Sequence, residues 1–436
     1  MKLRLFVRNL ALVAVGTFVL ASTAAAQGVT TSALGGSVMS QAGEPLVGAQ
    51  VTVTNTETGT RNTTITNDAG RYFVGLLIPG GPYTVDVNLI GHRTEQRTGL
   101  YLTLGRTEGA SFVLTETAVE LDALVVVAES NPLLSPTRTG TSTILDEGQI
   151  QNQPNIARDI TNFALLDSRV SVTEGGPSIA GQNNRFNNIQ IDGAVNNDVF
   201  GLADSGIPGG QIGAKSISIE AVKEFQVLTA PYDVRYAGFS GGLLNAITKS
   251  GTNTTSGSVF GFFTNDGFQG PLTIDGETIE KNEFKNTQFG FTLGGPISRD
   301  KIHYFVGGEF QLFDGPTSGL GVDPGGSASQ PGAASRGIDP DSAQRLIDIM
   351  GDVYGVSADD VGTSSTVTLN NPRTNLFARL DFQLGDNHRL VVRDNFSKNR
   401  ADRGPFRASF FYGYTSQNQD FTNTTNSFVT QLFSTF

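Results

Sequence analysis

A few stretches of this chain carry residue types at spacings that could do chemistry. Gly238-Phe239-Ser240-Gly241-Gly242 has the G-x-S-x-G spacing of a nucleophile elbow. That elbow needs a helix after the serine, whereas residues 243–248, Leu-Leu-Asn-Ala-Ile-Thr, read as a strand. The histidines that follow, His303 and His388, fall in or beside strand-like segments, so a tight turn is the better account of these glycines. Gly210-Gln211-Ile212-Gly213-Ala214-Lys215-Ser216 resembles a phosphate loop, but Ala214 stands where the second glycine belongs. His92 is isolated, and Asp359-Asp360 suits a solvated loop better than a metal site. The chain has no cysteine, which excludes disulfides, thiol nucleophiles and thiolate metal sites. The expectation is therefore no catalytic residue, no metal and no cofactor.

The stronger constellation is one of turns and strands. Ile189-Gln190-Ile191 alternates like a strand, and Asp192-Gly193 supplies the positive-φ positions of a tight turn. Residues 218–228, Ser-Ile-Glu-Ala-Val-Lys-Glu-Phe-Gln-Val-Leu, read as a short connection into a second strand. A small-residue turn over 236–242 leads into an apolar strand, Leu243-Leu244-Asn245-Ala246-Ile247-Thr248-Lys249. In this order the segments resemble the plug domain of TonB-dependent outer-membrane transporters. The positions that carry the resemblance are Arg185, Asp192, Gly193, Tyr236, Gly241, Gly242 and Asn245.

The amino terminus has Lys2, Arg4 and Arg8 before an apolar run over 10–20, then Ala24-Ala25-Ala26 before Gln27, the order of a secretory signal over residues 1–26. The run is too short to cross a bilayer as a helix, and no later segment reaches ~20 consecutive apolar residues. Net charge is −11, and losing the three basic residues of the signal takes it to −14. With no basic run interleaved with aromatics, a nucleic-acid partner is not expected. If the chain enters a membrane, it must do so as a β-barrel.

Residues 33–115 have short alternating strands punctuated by turns at 43–48, 67–70 and 79–82, the pattern of a small antiparallel sandwich. The G-x-P-L-x-G-A-x-V-x-V, D-x-G-x-Y and P-G-x-x-Y-x-V pieces are similar to the carboxypeptidase-regulatory-like domain. That likeness implies a binding or spacer module without peptidase chemistry. Residues 120–136 follow as a linker. Its β-prone Leu124, Val125, Val126, Val127 and Ala128 sit where the transporter family carries its TonB box, a segment that adds as a strand to TonB. The alternative is that these residues are the last strand of the sandwich. Within 137–250, Asp146-Glu147 marks a helix start, and Ile156, Ile160, Phe163 and Leu166 fall at helical spacing and are expected in the core.

From 256 to 436 the period-two pattern continues in six candidate strands. Phe289, Phe291 and Leu293 share one face and Gln288, Gly290 and Thr292 the other. Ala378, Leu380 and Phe382 alternate in the same way with Arg379, Asp381 and Gln383. Phe260, Phe262 and Phe263 leave the faces of the first strand, 256–265, undecided. Short and long connections alternate, as periplasmic turns and extracellular loops do in a transmembrane barrel. The longest, 314–373, has a Gly/Ser/Pro-rich half and a helix expected near 341–350.

The fold expected is all-β dominated: an N-terminal β-sandwich, an α+β plug domain, then the first strands of an antiparallel transmembrane β-barrel, incomplete. The 33–115 module, the plug and the Gly294-Gly295-Pro296-Ile297-Ser298-Arg299-Asp300-Lys301 segment before Tyr304-Phe305 resemble the Oar-like branch of TonB-dependent receptors. The resemblance implies an outer-membrane site, with the sandwich and TonB box in the periplasm. It also implies three partners: TonB with its inner-membrane energising complex, outer-membrane lipid, and an unknown extracellular ligand. The alternative function is surface adhesion through carbohydrate or protein binding, without transport. Since small barrels need ~8 strands and plugged ones ~22, the chain is also expected to be the amino-terminal part of a longer receptor.

Overall fold

The computed structural model describes residues 29–116, 124–127, 141–316 and 340–435. Excepted within these are 154, 156–157, 174–175, 199, 202–204, 230–235, 237–238, 275–276, 280–282, 364–367, 404–406 and 409–410. The expected signal over 1–26 lies outside the described residues, as do Ala128 and most of the 120–136 linker.

Eight strands build the N-terminal sandwich: β1 (Ser32–Ser40), β2 (Gln50–Asn55), β3 (Arg61–Ile65), β4 (Arg71–Leu77), β5 (Gly80–Asn88), β6 (Glu95–Leu102), β7 (Thr107–Gly109) and β8 (Phe112–Leu114). A ninth, β9 (Leu124–Val127), joins the larger sheet, whose order is β3-β2-β5-β6-β9, while β4, β1, β7 and β8 form the facing sheet. Alternation decides which side chains meet. Val51 and Val53 of β2, Tyr83, Val85 and Val87 of β5, and Leu34 and Val38 of β1 are all buried between the sheets. The turn expected at 79–82 is shorter than its Pro-Gly-Gly-Pro sequence suggests, since Gly80 already begins β5.

The central unit is a mixed sheet of β10 (Thr141–Leu145), β11 (Asn188–Ile191), β12 (Ala194–Val195), β13 (Val222–Thr229) and β14 (Gly242–Thr248), in the order β10-β13-β14-β11-β12. The helix expected at Asp146-Glu147 is α1 (Glu147–Asn152), started by a capping box between Asp146 and Gln149. The helical spacing further on yields only a 3₁₀ turn, Ile160–Leu166. It buries Ile160 and Phe163, but Leu166 is 43% exposed and is not core. One face of the sheet, Ile189, Ile191, Phe225, Val227, Leu244 and Ala246, packs on that turn. The tight-turn account of Gly241 and Gly242 needs correcting. Neither has a positive φ. A Cβ on Gly242 would stand 2.5 Å from the Ile179 side chain, and one on Gly241 2.4 Å from Asn187 Oδ1. Close approach, not turn geometry, requires these glycines.

The third unit is a wall of six antiparallel strands, each paired with the next: β15 (Ser256–Asn265), β16 (Lys285–Ser298), β17 (Ile302–Pro316), β18 (Arg373–Gln383), β19 (His388–Arg403) and β20 (Gln419–Ser434). Several are long, reaching 16 residues in β19 and β20. β15 and β20 are open edges among the described residues. A further helix, α2 (Pro340–Tyr354), lies in the long connection before β18. Phe289, Leu312, Phe428 and Leu432 of the wall are 47–68% exposed, whereas Gln288, Glu309, Asn375 and Arg393 are at most 4% exposed. Apolar outside and polar inside is the inverse of a water-soluble sheet and the signature of a membrane barrel. The undecided β15 departs from this rule: Phe260 and Phe262 share the inward face with Gly290 and Gln288, while Val259 and Phe263 face outward, and the ring of Phe260 lies over Gly290. No helix among the described residues is long and apolar enough to cross a membrane, which leaves strands to do so.

Candidate functional site

The β11–β12 turn places Asp192 (φ 47°) and Gly193 (φ 74°) in the left-handed region, as a two-residue hairpin turn requires. Its backbone N–H donates to Ala246 O at 2.8 Å. The carboxylate then accepts from Thr248 N at 2.8 Å and Thr248 Oγ1 at 2.7 Å, tying the turn to the end of β14. This carboxylate is 4% exposed, and a buried charge needs a counter-charge.

The wall supplies it. Arg393 of β19 brings Nε to 3.0 Å from Asp192 Oδ2, and its Nη2 donates to Ile191 O. The Nε contact is an ion pair whose N–H is not aimed as a hydrogen-bond donor. Arg379 of β18 donates through Nη1 to Thr248 O at 3.1 Å and Thr248 Oγ1 at 2.9 Å, and stands 4.0 Å from Asp192 Oδ1. Arg379 is itself held by a bidentate pair with Asp381, both bonds 2.8 Å. From β20, Gln431 donates to Asp192 O at 3.0 Å. Three adjacent wall strands thus converge on one turn of the central unit. We call this cluster the latch.

Further contacts flank it. Lys215 pairs with Glu309 of β17 at 3.5 Å, Ser218 Oγ donates to the same carboxylate, and Asn395 donates to Ser216 O at 2.8 Å. Burial pushes the Lys215 ammonium below its ordinary range, its partner Glu309 opposing. Arg158, ion-paired with Glu220 at 2.8 Å, stacks over Phe260 at 4.7 Å and Phe262 at 4.6 Å. Phe305 and Phe377 of the wall enter the core of the central unit. A cavity of about 1040 Å³ lies between this unit and the first two wall strands, lined among others by Gln151, Asn155, Lys249 and Gln288.

The opposite face of the central sheet meets the sandwich. Glu224 accepts from Leu104 N at 3.1 Å, Asn245 donates to Val29 O at 3.1 Å, and Arg106 donates to Ser142 Oγ at 3.3 Å. Gln226, Asn245 and Gln190 sit side by side across β13, β14 and β11, each buried, with a side-chain oxygen that meets no donor. Burial pushes the Glu224 carboxyl up to about 7. The sandwich also touches the short β18–β19 turn of the wall, through Asn62 to Asp386 O, and the segment joining β14 to β15, through Asn253 N to Glu57 O.

Of the residues singled out from sequence, Asp192 and Gly193 form the latch turn, and Asn245 belongs to the sandwich face. Tyr236 brings its hydroxyl close to Gly105 of the sandwich. Arg185 is exposed on the 3₁₀ turn Asn184–Phe186. Leu124–Val127 forms β9, paired in parallel with β6. Among the described residues no cluster of metal-ligating side chains exists. Period-two alternation puts Arg379 and Asp381 on the inward face of β18, and Arg393 takes the same face of β19 opposite Arg379. Their available signal was the density of charge there, Arg-x-Asp in β18 and Arg-x-x-x-Arg in β19.

The carboxypeptidase regulatory-like domain family matches residues 33–115, and the outer membrane beta barrel domain family matches 247–436. The TonB-dependent transporter Oar of Myxococcus xanthus is 27% identical over 320 residues, covering 70% of this chain. The probable TonB-dependent siderophore receptor PirA of Acinetobacter baumannii is 27% identical over 207 residues, covering 44%. The matches span 29% and 25% of those relatives' lengths. Among solved structures, the outer membrane transporter YddB from Escherichia coli superimposes with a TM-score of 0.45 at 12% identity, over 68% of this chain and 37% of that one.

Proposed function

We propose, for a chain that is a TonB-dependent outer-membrane receptor, that it binds an extracellular ligand and imports it when TonB displaces the central unit, which acts as a plug. The observation that carries this reading is the latch. Charged and polar groups from three wall strands grip a single turn of the plug. Losing one partner of such a buried pair is costly, and water can replace each contact only once the turn has left the wall. A purely apolar joint would offer no such exchange of partners.

In this reading the sandwich stands in the periplasm, which its contact with the short β18–β19 turn supports, since short turns face that side in outer-membrane barrels. TonB, driven by its inner-membrane complex, takes the segment Leu124–Ala128 by strand addition. Outer-membrane lipid surrounds the apolar outer face of the wall. The reading assigns no bond-making chemistry to the chain.

Ferric siderophores, the ligand type named for the PirA relative, are the first probe. Cells producing the receptor, with and without TonB, are compared for siderophore-iron accumulation. Accumulation only where TonB is present is expected, and equal accumulation in both strains would contradict energised import.

A further inference from the structure

The strand β9 is held in place by the sandwich. Leu124, Val125, Val126 and Val127 pair in parallel register with Glu95, Gln96, Arg97 and Thr98 of β6. β9 is the last strand of its sheet, with β6 its single neighbour among the described residues. The same backbone groups that TonB would need are therefore partly committed within the chain.

Resting on the reading of Leu124–Ala128 as the TonB contact, we propose that the β6 edge of the sandwich is a binding surface for this segment that competes with TonB. The sandwich and TonB hold the strand in alternation, and capture by TonB requires β9 to leave β6.

Three observations carry the competition. First, β9 belongs to the same chain as β6, so its rebinding is intramolecular, at an effective concentration on the order of millimolar for a short tether. An incoming strand must exceed that. Second, the pairing spans four residues and is parallel, the weaker of the two ladder types, so it holds the strand without making release prohibitive. Third, residues 128–140 join β9 to β10 and are the direct covalent path of load to the plug. While β9 stays on β6, a pull on it is shared with the sandwich sheet. The sandwich in turn rests on the plug through Leu104 to Glu224 and Val29 to Asn245. A strand that remained seated would divert part of the load into the sandwich and its joint.

The absence of cysteine from the chain makes the test direct. Thr98 and Val127 are register partners on neighbouring strands, within the Cα separation that a disulfide spans. Full chain carrying Thr98→Cys and Val127→Cys is purified in detergent and offered to the periplasmic domain of TonB, oxidised and then reduced. The single-cysteine variants serve as controls. Capture should be lower by about tenfold or more in the oxidised form, because the competent population is removed, and should recover on reduction. Equal capture before and after reduction would overturn the competition and show that TonB adds to the outer edge of a seated β9. Failure of the disulfide to form would overturn it as well, since β9 would then not rest on β6. Val126→Pro separates the two readings. Undiminished capture by that variant discards the TonB contact itself, whereas its loss alongside an indifferent disulfide lock discards only the competition.

Discussion

The two faces of the central sheet are built on opposite principles. The face of Ile189, Ile191, Phe225, Val227, Leu244 and Ala246 is apolar, and two phenylalanines of the wall, Phe305 and Phe377, join its core. The face toward the sandwich is mixed, with Gln190, Glu224, Gln226 and Asn245 set among buried Leu228, Leu243 and Ile247. The apolar core of the sandwich shares no residue with that of the plug. Buried amides with unanswered oxygens make a poor permanent core, because each unpaired group costs about 1–3 kcal/mol of desolvation. Water satisfies the same groups once the surfaces part. The difference separates an attachment that parts only under load, central unit in wall, from one that water alone can open, sandwich on central unit. The latch adds to the first a set of charges at the Asp192 turn.

The largest effect should come from breaking the latch. Asp192→Ala leaves Arg393 and Arg379 facing each other without their shared carboxylate, and removes the acceptor of Thr248 N. Loss of one partner of a buried pair costs about 3–5 kcal/mol. Protease digestion of detergent-solubilised protein should show the plug cut at much lower protease levels, with the isolated sandwich fragment still resistant. Unchanged digestion would mean that the apolar face alone holds the plug.

Next in size is the sandwich joint, through Glu224. Burial raises its carboxyl to about 7 from an ordinary 4.5 in the docked state, with Lys223 and Arg106 opposing the rise and Asp146 adding to it. A raised acid binds its proton more tightly when docked. Its contribution to docking is therefore fully present below about 4.5 and is lost as pH rises through about 7. Over that window it amounts to about 3 kcal/mol. Energy transfer between dyes on the sandwich and the plug should fall as pH rises from 5 to 8 in the wild type and stay flat in Glu224→Gln. The same slope in both proteins would remove Glu224 from the joint.

The smallest effect belongs to Arg158, whose guanidinium lies over Phe260 and Phe262 at the edge of the cavity. Arg158→Ala should cost about 1 kcal/mol, seen as a modest fall in the denaturant midpoint for plug unfolding. A loss as large as that of Asp192→Ala would mean that the clasp at β15 matters as much as the latch.

Much of this architecture is legible in the chain because period-two alternation reports directly on which face a side chain takes. Gln288, Glu309 and Arg379 against Phe289, Phe310 and Leu380 is enough to find a wall strand and its inner face. Alternation says nothing about what lies across the lumen. Arg393 and Asp192 are 201 residues apart and meet only because the plug turn enters the wall, so the latch had no local signature. Phe305 and Phe377 break the polar-inside rule for the same reason, since the inner face there meets the core of the plug instead of water. The 3₁₀ turn at Ile160–Leu166 was obscured by a spacing that fits a helix as well. For β9 the structure shows the second of the two readings drawn from sequence, the last strand of the sandwich sheet; its role as a TonB box is our proposal.

The central claim is that TonB reaches the plug through Leu124–Ala128. It is tested most directly by placing a photo-crosslinking amino acid at position 126 of the receptor in living cells. Illumination should join the receptor to TonB, and dissipating the proton-motive force or introducing Val125→Pro should reduce that product. A receptor that crosslinks to TonB only from positions elsewhere, and never from 126, would contradict the account.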